Sequence, residues 1–358
     1  MANNINNPLV SVLMPCYNVE AYVEESMESI LNQTYKNIEV IAIDDCSTDS
    51  TKKILHRLSD KDNRIKVVEN EKNLKLIDTL NKGIGLCRGE YIARMDADDI
   101  ALPERIEKEV RFLEENKDHD IVSAQFSTFR TGSSKLYPHK NPVKFEELQA
   151  YMLFKSGICH PASMFRKRIF TELGLSFEKE YLHVEDYALW SKALYKTKLA
   201  NIEGTPLLLY RVHETQISTL HEELQLENKK KVFKIHCNKL GLDDSDENLD
   251  IYASVAEANP SRQSFGYIDK CEQFMLLLLE KNEVSPFCSE AYLEGLLAIH
   301  WIRLCANSQL GISILKRCFK SPLYKREYYS SKDLITLYAK CILKLKYKKS
   351  LIYKLVFR

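Results

Sequence analysis

The sequence predicts an α/β protein, with a mainly parallel sheet flanked by helices over the first two thirds of the chain and a helical region after it. Three observations predict this. Up to about residue 130, short β-rich apolar runs alternate with segments of helical periodicity. Most of those runs stop abruptly at Pro15 or at acidic residues, as buried strands feeding a loop do. Beyond about residue 220, strand-like runs nearly vanish and helical patterning takes over.

The elements follow in order. Residues 10–14 form a short apolar run ending at Pro15, and 21–31 place Tyr22, Met27, Ile30 and Leu31 near helical spacing. Residues 38–43 are a second β-rich run, halted by Asp44-Asp45. Ser47-Thr48-Asp49-Ser50 then supplies capping side chains for a helix toward Leu58. Residues 64–68 are a third strand, and 74–86 a helix closed by Gly89. Residues 90–95 are a fourth strand, ending at Asp96-Ala97-Asp98-Asp99. Pro103 opens a helix that continues through 104–115, and 121–126 are a fifth strand. The stretch 135–160 is irregular, broken by Pro138, Pro142 and Gly157. A helix over 184–195 begins with Glu185-Asp186, and the apolar run 207–212 ends in Arg211-Val212-His213. Two regions result, 1–220 and 221–358.

Composition narrows the function classes. The chain has 358 residues, 45% hydrophobic and 28% charged, which suits a soluble globular protein. A formal charge of +1 gives no overall attraction to nucleic acid, so no nucleic-acid partner is expected. Ten cysteines are scattered singly with no CxxC pair, which argues against a disulfide framework and for a reducing, cytoplasmic compartment. The first residues show no basic-then-apolar secretory pattern, and no apolar stretch approaches the ~18 residues of a spanning helix. The tail is different. Between 316 and 358, thirteen Lys or Arg residues stand against two acidic ones, interleaved with Tyr338, Ile342, Tyr347, Ile352 and Tyr353. A basic amphipathic segment of this kind suits an anionic membrane surface, which would place the protein peripherally at the inner face of the plasma membrane. The alternative is that these helices pack on the core with their lysines in water.

In parallel sheets, ligands bind beyond the carboxyl ends of the strands. Asp44-Asp45 and Asp96 to Asp99 both fall there. Asp96 and Asp98, one residue apart at a strand end, can converge on a hard cation such as Mg²⁺ or Mn²⁺, which also binds phosphate oxygens. Such a cation offsets charge on a departing diphosphate. An isolated acidic pair reads equally well as a solvated turn, so the context matters.

That context resembles the inverting glycosyltransferase family 2, whose nucleotide-binding α/β core is called GT-A. The matching segments are Val12-Leu13-Met14-Pro15-Cys16-Tyr17-Asn18, Ser29-Ile30-Leu31-Asn32-Gln33-Thr34-Tyr35, Ile43-Asp44-Asp45-Cys46-Ser47-Thr48-Asp49, and Leu80-Asn81-Lys82-Gly83-Ile84. Gly89-Glu90-Tyr91-Ile92-Ala93-Arg94-Met95-Asp96-Ala97-Asp98-Asp99 and Pro103-Glu104-Arg105 follow. The likeness is collinear over roughly 8–215 and does not reach the helical C-terminal third. It implies transfer of a hexosyl or N-acetylhexosaminyl group from a nucleotide-sugar donor, with UDP as the nucleotide, to a glycan or glycolipid acceptor in surface polysaccharide or lipopolysaccharide synthesis.

The resemblance also implies site residues. Pro15, Tyr17, Asn18, Asp44, Asp45, Asn81, Arg94, Asp96 and Ala97 fall at donor-binding positions. Tyr17 can stack on a base, and Asp44 or Asp45 can accept from a uracil N–H or ribose hydroxyls. Core packing for Tyr17 and turn capping for the aspartates are the competing roles. Asp98 is assigned to direct metal ligation, Asp96 to the ribose as much as the metal, and His213 to the metal or a phosphate oxygen. Arg211 is assigned to the diphosphate. Asp186 matches the general base, with Glu185 beside it complementing a helix dipole. His160 is a weaker acceptor-site candidate. The chain departs from the family near Lys75, where relatives often carry a glycine that lets backbone approach the nucleotide. Two other functions compete: a sugar nucleotidyltransferase, although Pro15-Cys16-Tyr17-Asn18 lacks the glycine-rich basic character a triphosphate needs, and a non-catalytic glycan-binding protein.

Overall fold

The computed structural model describes residues 7–213 and 222–344. In chain order the elements are β1 (Val10–Cys16), α1 (Val23–Leu31), β2 (Ile38–Asp44), α2 (Thr51–Ser59), β3 (Ile65–Glu69), α3 (Lys75–Leu86), β4 (Tyr91–Arg94), β5 (Ile100–Ala101), α4 (Arg105–Glu115), β6 (His119–Ser123), β7 (Phe126–Phe129), β8 (Tyr137–His139) and α5 (Phe145–Met152). Then come β9 (Ser163–Arg166), α6 (Arg168–Thr171), α7 (Glu185–Ala193), β10 (Lys198–Asn201) and β11 (Leu208–Arg211). The C-terminal helices are α8 (Glu222–Leu240), α9 (Asp246–Ala256), α10 (Phe265–Val284), α11 (Glu290–Asn307), α12 (Ser313–Lys320) and α13 (Ser331–Leu343).

A seven-stranded sheet runs in the order β10-β6-β9-β4-β1-β2-β3. Strands β1 to β4 are mutually parallel, with β1 central between β2 and β4. Strand β9 is antiparallel to β4 and β6, and β10 is parallel to β6. This is the mixed, mainly parallel α/β sheet that the alternating pattern predicts. A second sheet, β5-β11-β7-β8, is mostly antiparallel.

The expected fifth strand differs. The run 121–126 divides: residues up to Ser123 belong to the main sheet, and Phe126 begins a strand of the second sheet. The turn at Ala124-Gln125 redirects the chain, with Ala124 N donating to Ala162 O and Gln125 O accepting from Leu207 N. The irregular stretch 135–160 contains β8 and α5.

Local sequence explains the packing. All seven residues of β2 are buried; the apolar run Val40–Ile43 packs on both faces, and Glu39 is buried with Ser11, Lys66 and Arg88 as partners. Helix α1 turns Val23, Met27 and Ile30 inward, in the same core cluster as Val10, Val12 and Met14 of β1. Each such side chain stabilises the fold by about 1.5–3 kcal/mol. On the other face α3 packs so closely that a Cβ on Gly83 would lie 2.2 Å from Leu13 Cδ1 and 2.8 Å from Ile43 Cδ1. Glycine is what allows that helix to seat.

The chain folds as two compact units, one of Met1–Phe145 with Ser156–Gln225, the other of Glu146–Lys155 with Leu226–Arg358. The expected boundary near 220 lies outside the described residues. In the second unit Ser245, Ser264, Ser289 and Ser330 cap α9, α10, α11 and α13, each side chain accepting a backbone N–H of the first turn. Ser330 and Asp333 complete a capping box. Tyr252 stacks on Phe233 at 4.4 Å and its hydroxyl donates to Leu153 O, while Trp301 Nε1 donates to Cys318 O. No helix among the described residues is long and apolar enough to cross a membrane.

Candidate active site

The carboxyl ends of β1, β2 and β4 hold most of the predicted site residues. After β1, Tyr17 is 46% exposed. Asn18 takes a left-handed backbone (φ 52°), and its Oδ1 accepts from Thr48 N at 2.8 Å. The loop after β1 is thereby tied to the loop after β2. Cys46, Lys75 and His183 also have φ above 60°. Strained backbone of this kind gathers where loops are held for function.

The two aspartates after β2 are both buried but differently used. Asp45 is saturated: Oδ1 accepts from Asn70 Nδ2 (2.8 Å) and Leu74 N (2.7 Å), and Oδ2 from Lys75 N (2.9 Å). Asp44 accepts one bond, from Ser47 N, and its Oδ1 is buried without a partner. Lys75 stands at the glycine position noted above with φ 68°, so lysine carries a left-handed strain of about 1–2 kcal/mol.

The acidic loop after β4 is the centre of the site. One carboxylate oxygen each from Asp96, Asp98 and Asp99 lies within 4.8 Å of the others. Asp96 Oδ1 receives Arg94 Nη2 at 2.6 Å, Asp98 Oδ2 meets His213 Nε2 at 3.0 Å, and Asp99 Oδ1 receives the Arg211 amide at 2.8 Å. Asp99 Oδ2 is buried and unpartnered. Burial first, then the neighbouring Asp96 charge, raises the Asp98 pKa; burial, Asp96 and Asp98 raise that of Asp99 further. Three hard oxygen donors crowded together with an orphaned oxygen fit a divalent cation such as Mg²⁺ or Mn²⁺. The sequence points to Asp96 and Asp98; the structure adds Asp99. Its signal was the adjacent third acid in the run.

Arg94 ends β4 at 1% exposure. Only Nη2 is bonded; Nε and Nη1 are buried without partners. A buried guanidinium with free donors fits an incoming anion. Its backbone is held by Arg105, which donates to Arg94 O at 2.7 Å and pairs with Glu109. The Arg105 pairing could not be read from the sequence.

Asp186 opens α7, with Oδ1 accepting from Tyr187 N at 2.7 Å. Burial raises its pKa, and the Arg94 and Asp96 charges act on it, so α7 and the acidic loop share one site. Glu185 has a buried, unpartnered Oε2 and a pKa pushed up to about 7 by burial and then by Asp186. His160 packs against Phe177 and Trp190 with Nε2 buried and unpartnered; burial and Arg94 drive its pKa well down. It is held neutral beside the site.

Two predicted residues are committed to the protein. Asn81 exchanges both amide bonds with Phe177, donating to its O at 2.8 Å and accepting from its N at 3.2 Å. Arg211 sends Nε to Asp98 O (2.6 Å), Nη1 to Thr131 Oγ1 (2.8 Å) and Nη2 to Glu25 (2.5 Å), with Tyr22 and Phe129 rings over the guanidinium. It braces the acidic loop from behind. Pro15 is half-buried and Ala97 is 3% exposed, so Ala97 can offer a ligand only its backbone.

A parallel sheet whose strand ends present an acidic cation cluster, a buried arginine with free donors and a separate carboxylate defines a nucleotide-dependent group-transfer enzyme of the α/β class. The comparisons identify which. The model of glycosyl transferase family 2 matches residues 11–174. An uncharacterized glycosyltransferase of Haemophilus influenzae is 39% identical over 255 residues, 66% of this chain and 77% of that protein. One from Rickettsia typhi is 30% identical over 299 residues, 81% and 90%. The chain belongs to glycosyl transferase family 2. It is an inverting, metal-dependent glycosyltransferase acting on a nucleotide-sugar donor. Solved structures share the fold: S. aureus TarS 1–349 in complex with UDP-GlcNAc (TM-score 0.55, 19% identity, 82% of this chain and 86% of that one) and the mannosyltransferase PcManGT of Pyrobaculum calidifontis in complex with GDP-Man and Mn²⁺ (TM-score 0.50, 18%, 82% and 86%).

Proposed function

We propose that this chain transfers a hexosyl or N-acetylhexosaminyl group from a UDP-sugar to a hydroxyl of a glycan or glycolipid acceptor, in the synthesis of a surface polysaccharide or lipopolysaccharide. The observation that carries the reaction is Asp186, a burial-raised carboxylate within electrostatic reach of Arg94 and Asp96. Asp186 accepts the acceptor hydroxyl proton. That oxygen attacks the anomeric carbon while the bond to the diphosphate breaks on the opposite face, inverting the configuration. The free Nε and Nη1 of Arg94 donate to diphosphate oxygens, where charge grows as the nucleotide leaves. Tyr17 stacks on the base, with Asn18 fixing its loop, and Asp44 offers its unpartnered Oδ1 on the nucleoside side while Asp45 holds the loop. Asp96, Asp98 and Asp99, with His213 orienting Asp98, would hold a divalent cation, which would supply Lewis-acid stabilisation of that diphosphate. Of the two fold neighbours, TarS was solved with UDP-GlcNAc, in line with a UDP-linked donor, and PcManGT with GDP-Man.

The acceptor assignment rests on the C-terminal end. On α13, Ile335 (69%), Tyr338 (44%) and Ile342 (61%) are exposed at helical spacing, beside Leu343. An exposed apolar stripe next to a basic tail suits peripheral attachment at the inner face of a membrane, where a lipid-linked acceptor resides. Tyr347, Ile352 and Tyr353 of that tail lie outside the described residues. Flotation with anionic vesicles tests it; protein that stays with the soluble fraction at low salt sinks the attachment.

The reaction is tested with Asp186→Asn. Turnover should fall about 10²–10⁴-fold while nucleotide affinity holds. Normal transfer by this variant would refute the assignment. Release of nucleoside diphosphate supports transfer, and release of pyrophosphate would instead indicate nucleotidyl transfer.

A further inference from the structure

The second sheet leaves one face open beside the acidic loop. Along β7 the residues alternate: Ser127 and Phe129 are buried, whereas Phe126 and Thr128 are half-exposed. The partner strands extend the open side. Thr128 lies between Tyr210 of β11 and Tyr137 of β8, and Phe126 pairs with His139 of β8. Directly opposed residues share a face, so Tyr210, Thr128 and Tyr137 form one row across three strands, with Phe126 and His139 in the next. At the usual strand spacing such a row is about 10 Å long.

Aromatic and polar groups alternate on this face. The Phe126 ring stacks on His139 at 4.6 Å, and the Tyr210 ring meets Phe126 edge-on at 6.1 Å. Thr128 Oγ1 and His139 Nε2 lie 3.2 Å apart. Tyr137 is 58% exposed, which is more than cross-strand packing asks of it. Aromatic rings suit the C–H faces of sugar rings, and the phenol, hydroxyl and imidazole between them suit sugar hydroxyls.

One end of the face reaches the catalytic groups. The Arg211 amide, next to Tyr210, donates to Asp99 Oδ1. Burial first, then the Asp96 and Asp99 charges, raises the Tyr210 pKa, so its hydroxyl stands within electrostatic reach of the cluster. Thr131 Oγ1, at the turn between β7 and β8, accepts from Arg211 Nη1. All of these residues belong to the first unit.

The charge on this region has one sign. From residue 121 to 145 there is no Asp or Glu. Arg130, Lys135 and Lys140 are exposed, and none of the three side chains has a hydrogen bond or ion pair among the described residues. Arg130 and Lys135 flank the turn at the acidic-loop end, and Lys140 follows β8 at the other. Cations set apart in this way match negative charges spaced along a chain. Pro138 and the lysines blunt the outer edge of β8, so the occupant lies on the face and does not add to the sheet as a strand.

We propose that this face is the acceptor shelf and that the acceptor is an acidic glycan, its sugar rings against Tyr137 and the Phe126–His139 pair, its anionic groups at Arg130, Lys135 and Lys140. The inference rests on the glycosyl-transfer reading above and narrows the acceptor within it.

The test is calorimetric titration of the full chain, in UDP and Mn²⁺, with hexagalacturonate and with maltohexaose. Hexagalacturonate should bind saturably, and maltohexaose at least about tenfold more weakly. Tyr137→Ala, and Arg130→Gln with Lys135→Gln, should each weaken hexagalacturonate binding about tenfold; all three positions are exposed, so folding is spared. Weakening in the charge variant alone is adventitious attraction and overturns the shelf, as does equal affinity for maltohexaose or no binding of hexagalacturonate. Flotation with phosphatidylglycerol vesicles that Tyr137→Ala abolishes, without hexagalacturonate binding, makes the face a membrane contact and also overturns it. UDP titration of the same protein separates the two readings. UDP bound without hexagalacturonate sinks the shelf alone, and no UDP binding sinks the transfer reading beneath it.

Discussion

Two acidic groups end the strands that flank β1, β2 on one side and β4 on the other, and they are built in opposite ways. After β2, Asp45 is surrounded by three N–H donors and makes the turn into α3. After β4, Asp96, Asp98 and Asp99 face one another, and Asp99 keeps a buried oxygen that nothing satisfies. The difference teaches which carboxylates hold the fold and which await a ligand. A saturated carboxylate stabilises its loop, whereas a crowded, partly unsatisfied one stores repulsion that a cation relieves.

The contrast can be broken by substitution. Asp45→Ala takes the acceptor from the buried Asn70 amide and from the Leu74 and Lys75 N–H groups, and should cost about 1–3 kcal/mol in denaturant unfolding. Asp99→Asn removes one of three mutually repelling charges and should raise the stability of the metal-free protein by about 1 kcal/mol. Equal destabilisation by both would erase the distinction.

A pH series sharpens the same point at Glu185. Its folded pKa is raised from 4.5 to about 7, so the folded state holds the proton more tightly than the unfolded one. That contribution is present below about 4.5 and is lost as pH rises through about 7. Thermal midpoints of the metal-free protein should therefore fall over this window, and Glu185→Gln should flatten the fall. A midpoint that rises over the same window in both proteins contradicts the assignment. The smallest effect belongs to Lys75→Gly, which relieves a left-handed backbone while keeping the N–H to Asp45. A gain of up to about 1 kcal/mol is expected, and a loss greater than that would show that the lysine side chain itself is needed.

Much of this was legible in the sequence because buried parallel strands announce themselves. Strands β1 to β4 and their helices fall where apolar periodicity puts them, and the acids fall at strand ends. Strand β9 was not legible: four residues between Pro161 and Arg168 carry no alternating pattern, since both faces of Ser163–Arg166 are buried. The division at Ala124-Gln125 was hidden because a single apolar run feeds two sheets. In the site, residue type pointed to the acidic loop and Arg94, but direction could not be read. Whether an arginine faces the ligand or the loop depends on partners far away in sequence, such as Glu25 and Thr131 for Arg211. Asn81 is the same case, its amide turned to Phe177.

The central claim is that the crowded cluster after β4 is the cation site. Mn²⁺ binding followed by electron paramagnetic resonance, with nucleoside diphosphate present, tests it most directly. Wild type and Asp45→Asn should each take up one Mn²⁺ per chain, and Asp98→Asn should lose it or bind at least about tenfold more weakly. Undiminished Mn²⁺ binding by Asp98→Asn would contradict the account.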